Sequence, residues 1–141
     1  MQELLKNKKV IVFDGVCLMC NKYVEFITKY DSNDYFRFVA IQNKKILSKI
    51  LKNKKLINDN ASIILIEDNT IKKKSSAVIS ILSNLKFPFY LFSITKIIPR
   101  FLRDMIYSLI ARNRYNIFGK VKYCSVIENS NLKRVKEKII E

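Results

Sequence analysis

Short apolar runs and stretches of helical periodicity alternate along the first half of the chain. Residues 9–13 (KVIVF) are apolar and rich in β-branched side chains, and the turn residues Asp14 and Gly15 follow them, so this run predicts a buried strand. From Cys17 onward the apolar side chains recur at helical spacing until the polar segment 31–34, which predicts a helix. The same patterns predict further strands at 36–41, 62–67 and 70–73, a short helix near 46–51, and a helix that begins at Ser75 or Ser76.

The order of these elements indicates the fold class. Two strands joined by a helix normally pair in parallel, whereas Asp68 and Asn69 provide a tight turn between the last two strands. The order β-α-β-α-β-β-α over about the first 85 residues is the minimal thioredoxin order. The sequence therefore predicts an α/β protein with a thioredoxin-like mixed four-stranded sheet flanked by helices, with the first two strands parallel and the last two antiparallel.

The second half of the chain predicts a C-terminal helical extension. Pro99 suits the first turn of a helix, residues 102–110 carry an amphipathic apolar stripe, and Gly119 can supply the left-handed turn that ends the helix. Residues 131–141 are a basic helix or tail that we expect to fray. We expect a single thioredoxin-like domain over residues 1–141, with its core at about 9–85, the extension at about 88–124 and the basic segment at 131–141.

Length and hydropathy fit a cytoplasmic protein with one core. The chain has 141 residues, of which 49% are hydrophobic, and this is enough for one domain. No run approaches the ~20 apolar residues of a membrane span, and the first nine residues lack a secretory signal. Region 85–111 is apolar but is interrupted by charged residues and prolines, so we expect a packed extension, with contact to a membrane surface as the alternative.

Charge and residue counts exclude several classes of site. The net charge is +15, from 27 Lys and Arg against 12 Asp and Glu, but the basic residues are scattered and match no nucleic-acid motif, so we interpret them as a solvated surface and expect no nucleic-acid partner. Histidine is absent, which excludes Ser-His and Cys-His catalysis and the commonest zinc ligand. Three cysteines in a reducing compartment cannot form a complete disulfide framework.

The candidate chemistry lies in Cys17 and Cys20, which open the first predicted helix. The two-residue spacing brings the sulfurs within bonding reach, and the helix N-terminus favours a thiolate on the first cysteine. We therefore expect Cys17 to be the nucleophile and Cys20 to be the resolving thiol, less exposed than Cys17. Two alternatives stay open: a pair of buried structural cysteines, and a metal site completed by Asp14 and Cys124. We expect no metal, because no second C-x-x-C pair exists.

Asp14 has two candidate roles beside this pair. Its carboxylate could act as the N-cap of the first helix, since Asp is among the preferred capping residues. It could instead relay a proton to or from Cys20 during thiol-disulfide exchange.

The segment around the cysteines resembles the signature of the DCC family of thiol-disulfide oxidoreductases. Residues 12–21 read VFDGVCLMCN, which contains the Asp and the two Cys that give the family its name. The resemblance continues at residues 40–42 (AIQ), 76–77 (SA), 111–115 (ARNRY), 118–119 (FG) and at Cys124, and so it covers nearly the whole chain. It implies a thioredoxin-like fold and disulfide chemistry.

The chain departs from better-known thioredoxin relatives before the third strand. Those relatives carry a cis-proline there, opposite the cysteines, whereas this chain has Asn60, Ala61 and Ser62. A cis bond to a residue other than proline is too unfavourable to assume. We therefore expect either a different mode of substrate docking or weak redox activity.

The C-terminal motif supplies further candidate residues. Arg112 and Arg114 could neutralise a helix C-terminus, or could join Asn113 and Tyr115 near Cys17 to bind an anionic group of a substrate. Cys124 is either a third thiol near the pair or a buried packing residue.

The leading functional hypothesis is thiol-disulfide oxidoreductase activity without a cofactor. Cys17 attacks a disulfide-containing substrate, Cys20 resolves the mixed disulfide, and an unidentified reductant restores the thiols, with net reduction in the cytosol. The alternative is a non-enzymatic binding module on the same scaffold, which would hold a lipid-like ligand or a partner protein with the aromatic stretch 87–92 (FPFYLF).

Overall fold

The computed structural model describes residues 6–51, 63–67, 70–119 and 133–140, and these contain four strands and six helical segments. The strands are β1 (Lys9–Phe13), β2 (Phe36–Ala40), β3 (Ile64–Glu67) and β4 (Thr70–Lys73). The helices are α1 (Leu18–Tyr30), α2 (Lys44–Leu51), α3 (Lys74–Ser83), a 3-10 helix (Phe89–Ile97), α4 (Arg100–Phe118) and α5 (Lys133–Lys138). Each predicted strand is present to within about two residues at either end.

The four strands form one mixed sheet in the order β2-β1-β3-β4. Strand β1 is parallel to β2, with Phe13 opposite Ala40, and antiparallel to β3, with Ile11 opposite Leu65. Strand β3 is antiparallel to β4. The predicted α/β fold is therefore confirmed, including the parallel first pair and the antiparallel last pair.

Alternate residues of β1 reach opposite faces of the sheet, as the twofold periodicity of a strand requires. The side chains of Ile11 and Phe13 lie on the face of the sheet that α1 covers, and they share one buried core with Val24 and Ile27 of that helix. Val10 and Val12 are buried against the other face, which α2 covers. Because both faces are covered, β1 is the centre of the protein, and the loop that follows its last residue is held on a rigid support.

The C-terminal helices pack onto this sheet and helix core. Helix α4 contacts α3 and α1, and α5 contacts α1 and β2. Ile139 forms a parallel bridge with Phe38, and Val135 and Lys138 are buried. Of the two alternatives for the basic segment, a helix or a frayed tail, its described part is the helix, which a buried apolar side chain and an ion pair with Asp31 fix in place. No described helix is both long enough and apolar enough to cross a bilayer.

Two helix N-termini differ from the sequence-based predictions. Cys17 occupies the N-cap position of α1, so Asp14 is not the capping residue. Helix α3 begins at Lys74, after Lys73 at the N-cap, and the hydroxyl of Ser75 instead donates a hydrogen bond to the carboxylate of Asp104 on α4. Asp14 and Ser75 both bind side chains of α4, which are distant in sequence. Capping preferences consider only residues near the start of the helix, so they do not predict such contacts.

Candidate active site

The cysteine pair lies where β1 ends and α1 begins, as predicted. The backbone N–H of Cys17 donates to the carbonyl oxygen of Asp14 at 3.2 Å, which closes a turn, and the Cys17 carbonyl accepts the first helical hydrogen bond from Asn21 at 3.0 Å. Cys20 follows within the first turn of the helix. Neither Cys17 nor Cys20 takes part in a disulfide in the structure.

Both cysteines are buried, and Cys17 is the more deeply buried of the two. Its exposed fraction is 0%, against 3% for Cys20. The expectation that Cys20 would be the less exposed thiol is therefore wrong. The physical reason is the C-terminal part of α4: Arg114 binds Asp14 beside the cysteine turn, and Tyr115 packs against the core cluster that contains Cys17.

The environment of Cys20 keeps its proton in place. Burial and a side-chain hydrogen bond with Cys17 raise the pKa of the Cys20 thiol to about 12. The positive charge of Arg114 opposes this shift, but it does not overcome it. Cys20 is therefore a neutral thiol at physiological pH, and it can lose its proton only when a base or a change of partner assists.

Asp14 is the polar centre of the site. Its Oδ1 atom accepts a hydrogen bond from the Val16 backbone N–H at 3.1 Å and another from the Gln42 amide at 2.8 Å. Its Oδ2 atom accepts from Arg114 Nη2 at 3.0 Å and from the Tyr115 hydroxyl. Asp14 and Arg114 are both buried, at 8% and 5% exposed, so this carboxylate meets its counter-charge away from bulk water.

Tyr115 remains a proton donor toward this carboxylate. Burial and the hydrogen bond to Asp14 raise the pKa of the Tyr115 phenol above its usual range. Its hydroxyl also accepts a hydrogen bond from Arg114 Nη2 at 3.1 Å. Arg114, Tyr115 and Asp14 therefore form a closed network of one cation, one phenol and one carboxylate beside the thiols.

Gln42 completes the site, and sequence reasoning gave it no role there. Its Oε1 atom accepts the Gly15 N–H at 3.1 Å, while its amide donates to Asp14. The Asn21 amide donates to the Gly15 carbonyl at 3.1 Å on the other side of the turn. A signal for Gln42 was available, because it follows β2 and the carboxyl ends of two parallel strands meet at one edge of a sheet.

Only half of the predicted α4 motif reaches the site. Arg114 and Tyr115 bind Asp14, whereas Arg112 and Asn113 are exposed, and the Asn113 amide donates to the Leu109 carbonyl of its own helix at 3.0 Å. Each residue of a helix is rotated by about 100° from the previous one, so four consecutive side chains cannot all face one partner. Cys124 and the segment 60–62 lie outside the described residues.

A groove of about 350 Å³ opens beside Cys20 and is almost wholly apolar. Met19, Cys20 and Tyr23 of α1 form one wall, and Tyr107 and Ile110 of α4 form another, with Arg114 also at its surface. The Tyr107 hydroxyl accepts the backbone N–H of Ile63 at 2.9 Å, which ties α4 to the residue before β3. Helix α4 therefore forms one wall of the groove that reaches Cys20.

Comparisons with known proteins agree with this geometry. A family model described as DCC1-like thiol-disulfide oxidoreductase matches residues 11–120. An uncharacterized protein of Bacillus subtilis (strain 168), YuxK, is 39% identical over 127 residues, which cover 89% of this chain and 92% of that protein. A chloroplastic DCC family protein of Arabidopsis thaliana is 33% identical over 121 residues, or 85% of this chain and 70% of that protein. No solved structure matches the chain.

Proposed function

The chain belongs to the DCC1-like thiol-disulfide oxidoreductase family, and from this premise we propose that it reduces disulfides with Cys17 as the nucleophile and Cys20 as the resolving thiol. The observation that carries the assignment is the unequal environment of the two thiols. Cys20 is held as a neutral thiol by burial and by its hydrogen bond with Cys17. Cys17 stands at the N-cap of α1, where the helix dipole favours negative charge, and so it is the sulfur suited to attack.

The proposed reaction transfers two electrons to the substrate in two exchange steps. The Cys17 thiolate attacks one sulfur of the substrate disulfide, the substrate S–S bond breaks, and the first substrate thiolate leaves as a Cys17–substrate mixed disulfide forms. Cys20 then loses its proton and attacks Cys17, which releases the second substrate thiolate and leaves a Cys17–Cys20 disulfide. A thiol reductant restores the pair, and in a reducing cytosol the net direction is substrate reduction.

Asp14 is the group we assign to the proton transfer from Cys20. Its charge acts on Cys20 and helps to keep the thiol protonated while Arg114 acts in the opposite sense. Once Cys17 is bound in the mixed disulfide, the Cys17 sulfur no longer accepts the hydrogen bond, and the Asp14 carboxylate is the base available to receive the Cys20 proton. Arg114 and Tyr115 position this carboxylate, and Arg114 also lines the groove beside Cys20. The exposed Arg112 and Asn113 are left as contacts for a bound substrate.

Trapping of the mixed disulfide tests the assignment. In a Cys124→Ser background, the Cys20→Ser variant should accumulate a covalent adduct with a small aromatic disulfide, because attack proceeds and resolution cannot. The Cys17→Ser variant should form no adduct and should lose turnover, because a hydroxyl without an activating base is too weak a nucleophile. Intact mass measures the adduct. Equal adduct yields from the two variants would contradict the division of labour.

A binding module without catalysis is the second candidate, and the burial of Cys17 favours it. In that case the apolar groove beside Cys20 would hold a ligand and the thiols would be packing residues. The same variants separate the two functions, since a binding module predicts no adduct from either variant and no disulfide reduction by the parent protein.

A further inference from the structure

Exposed apolar side chains are concentrated in one part of this molecule. Fifteen of the sixteen large apolar side chains that are exposed among the described residues lie between Phe87 and Phe118, and Tyr35 is the other. Ile97 is 84% exposed, and Phe101 is 71% exposed. Scattered exposed apolar residues are ordinary on a protein surface, but a continuous set of this size marks an interaction surface.

Helix α4 presents its apolar stripe away from the protein body. Phe101, Met105 and Leu109 recur every four residues and are all exposed, with Leu102 and Ile106 beside them. Ala111 and Arg114, the two buried residues of α4, lie on the opposite side of the helix. The usual amphipathic arrangement is therefore reversed, because the apolar side faces solvent and the more polar side faces the core.

The 3-10 helix adds to this surface and is held firmly at one end. None of its residues is buried. The ring of Phe89 packs edge-on against Phe26 at 4.8 Å between centroids, and it lies 4.6 Å from Tyr30. The exposed apolar side chains of this segment therefore project from an anchored element.

A cation-lined cavity of about 360 Å³ adjoins the two apolar elements. Lys96 at the end of the 3-10 helix, Arg100 and Arg103 at the start of α4, and Lys72 of β4 contribute to its wall. The Arg103 Nε atom is buried and has no hydrogen-bond partner in the described part of the chain. Asp104 binds Ser75 and Arg100, and Glu67 pairs with Lys72, so Lys96 and Arg103 are the cations of this wall without a carboxylate partner among the described residues. The cavity therefore suits an anionic group.

From this combination we propose that residues 87–118 dock on the surface of an anionic lipid bilayer. The apolar side chains enter the interface between headgroups and acyl chains, and the cations at the junction of the 3-10 helix and α4, Lys96, Arg100 and Arg103, contact lipid phosphates or carboxylates beside the apolar surface. A free anion would use these cations alone, whereas a bilayer with anionic headgroups supplies both the counter-charge and an apolar interior. A nucleic acid would leave the exposed aliphatic side chains of this surface without apolar partners.

A second copy of the chain is a poorer occupant of the same surface. Each copy carries a net charge of +15, and pairing through this face would bring two sets of cations together. A bilayer with anionic headgroups instead supplies the opposite charge along with the apolar interior. This inference does not depend on the redox chemistry, so failure of either proposal leaves the other standing.

Cosedimentation of the full-length protein with vesicles tests the proposal. With vesicles of phosphatidylcholine containing about 30% phosphatidylserine, we expect at least tenfold tighter binding than with phosphatidylcholine alone, and a decrease as salt is raised. Ile97→Ser combined with Phe101→Ser should weaken binding at least tenfold, and both sites are exposed enough to leave the fold intact. Lys96→Gln combined with Arg103→Gln should remove the preference for anionic vesicles.

A charge-matched control makes the result specific. Lys133→Gln combined with Lys136→Gln removes two exposed cations of α5, away from this surface, and should keep vesicle binding within twofold of the parent protein. Circular dichroism and thermal denaturation in vesicle-free solution check that each variant is folded. Absence of vesicle binding, equal loss in the control, or formation of a dimer that sediments without lipid would each overturn the proposal.

Discussion

The two ends of α1 carry the same kind of buried ion pair but use it differently. Before the helix, Asp14 meets Arg114 with 3.0 Å between Oδ2 and Nη2, and after it, Asp31 meets Lys138 with 2.5 Å between Oδ2 and Nζ. The partners are 100 and 107 residues apart in sequence. Each pair therefore joins a C-terminal helix to the first half of the fold.

The remaining partners of each carboxylate decide what the pair does. Asp31 accepts the backbone N–H groups of Tyr35 and Phe36 at 3.0 and 3.1 Å, so its surroundings are fixed parts of the main chain. Asp14 instead accepts from the side chains of Gln42 and Tyr115 besides Arg114, next to two thiols. Asp14 also accepts one backbone N–H, that of Val16, but its remaining partners are side chains beside the thiols, whereas the hydrogen bonds of the Asp31 carboxylate in the described residues come from the main chain and from Lys138. We therefore expect the Asp31 pair to act on stability and the Asp14 pair to act on the chemistry of the thiols as well.

The largest effect should come from breaking the Asp31 pair. Asp31→Ala leaves Lys138 buried without its main counter-charge and leaves two backbone donors without an acceptor, so the free energy of unfolding should fall by about 3–5 kcal/mol. Asp34→Ala is the comparison variant: Asp34 is 42% exposed and also pairs with Lys138, but it leaves Asp31 in place as the main counter-charge of Lys138, so the loss should be about 1 kcal/mol. Urea denaturation measures both. Equal losses of stability in the two variants would contradict the claim that the buried Asp31–Lys138 pair stabilises the fold more than an exposed pair does.

Asp14→Asn should lower stability, because the buried Arg114 loses its counter-charge, and it should also slow turnover in the molecules that stay folded. Asn retains the acceptor for the Val16 N–H but cannot receive the Cys20 proton, so resolution of the mixed disulfide should slow about 100-fold. Asp31→Asn is the control at the other end of the helix, and it should leave turnover per folded molecule unchanged. Stopped-flow measurement of the mixed-disulfide lifetime tests this. Unchanged resolution in Asp14→Asn would restrict Asp14 to holding the turn.

Alkaline pH should lower the stability of the fold through Cys20, in the first turn of α1. The folded-state pKa of Cys20 is raised from 9.0 to about 12, so the folded state prefers the neutral thiol. The contribution of the neutral Cys20 thiol to the free energy of unfolding is complete below about pH 9 and is lost as the pH rises toward 12. The free energy of unfolding should fall over this range by at most about 1.4 kcal/mol per pH unit. Cys20→Ser should remove this part of the pH dependence. Denaturant titrations between pH 7 and 11 compare the two proteins, and identical curves would contradict the assigned environment of Cys20.

Acidic pH should lower the stability of the fold through Asp34, near the C-terminal end of α1, and by a smaller amount. Hydrogen bonds from Arg37, Lys8 and Lys138 hold the pKa of Asp34 well below its usual range, with the Arg37 contact the strongest. The stabilisation from Asp34 is therefore present above its ordinary pKa of about 3.8 and is lost as pH falls below it. Asp34→Asn should flatten the acid side of the stability profile. Thermal melts from pH 2 to 6 measure this, and an unchanged profile would show that these contacts are not maintained in solution.

Local patterns were enough to predict the framework of the fold. The run 9–13 and the helical spacing after Cys17 define β1 and α1, and a helical connection between β1 and β2 implies their parallel pairing. The position of Cys17 and Cys20 at a strand-to-helix junction follows from the same local reasoning. These features depend on residues that are close together in the chain.

The features that the sequence did not predict depend on contacts between distant segments. The α4 motif offered Arg114 and Tyr115 as neighbours of Cys17, but it did not predict their contacts with Asp14 or the full burial of Cys17, and Lys138 is buried because α5 packs beside Asp31. The contact of Gln42 with Asp14 joins residues 28 positions apart across two strands. Periodicity and capping preferences describe a residue's neighbours in sequence, so they could not reveal these partners.

The most direct test of the central claim, that Cys17 and Cys20 form a redox-active pair, is a redox titration of the Cys124→Ser protein in glutathione buffers. The fraction of Cys17–Cys20 disulfide is measured by alkylation and intact mass. We expect one two-electron transition with a midpoint of about −270 to −120 mV, in the range of catalytic dithiols, and no transition in Cys17→Ser or Cys20→Ser. Two free thiols at every potential would contradict the account and leave the binding module as the function.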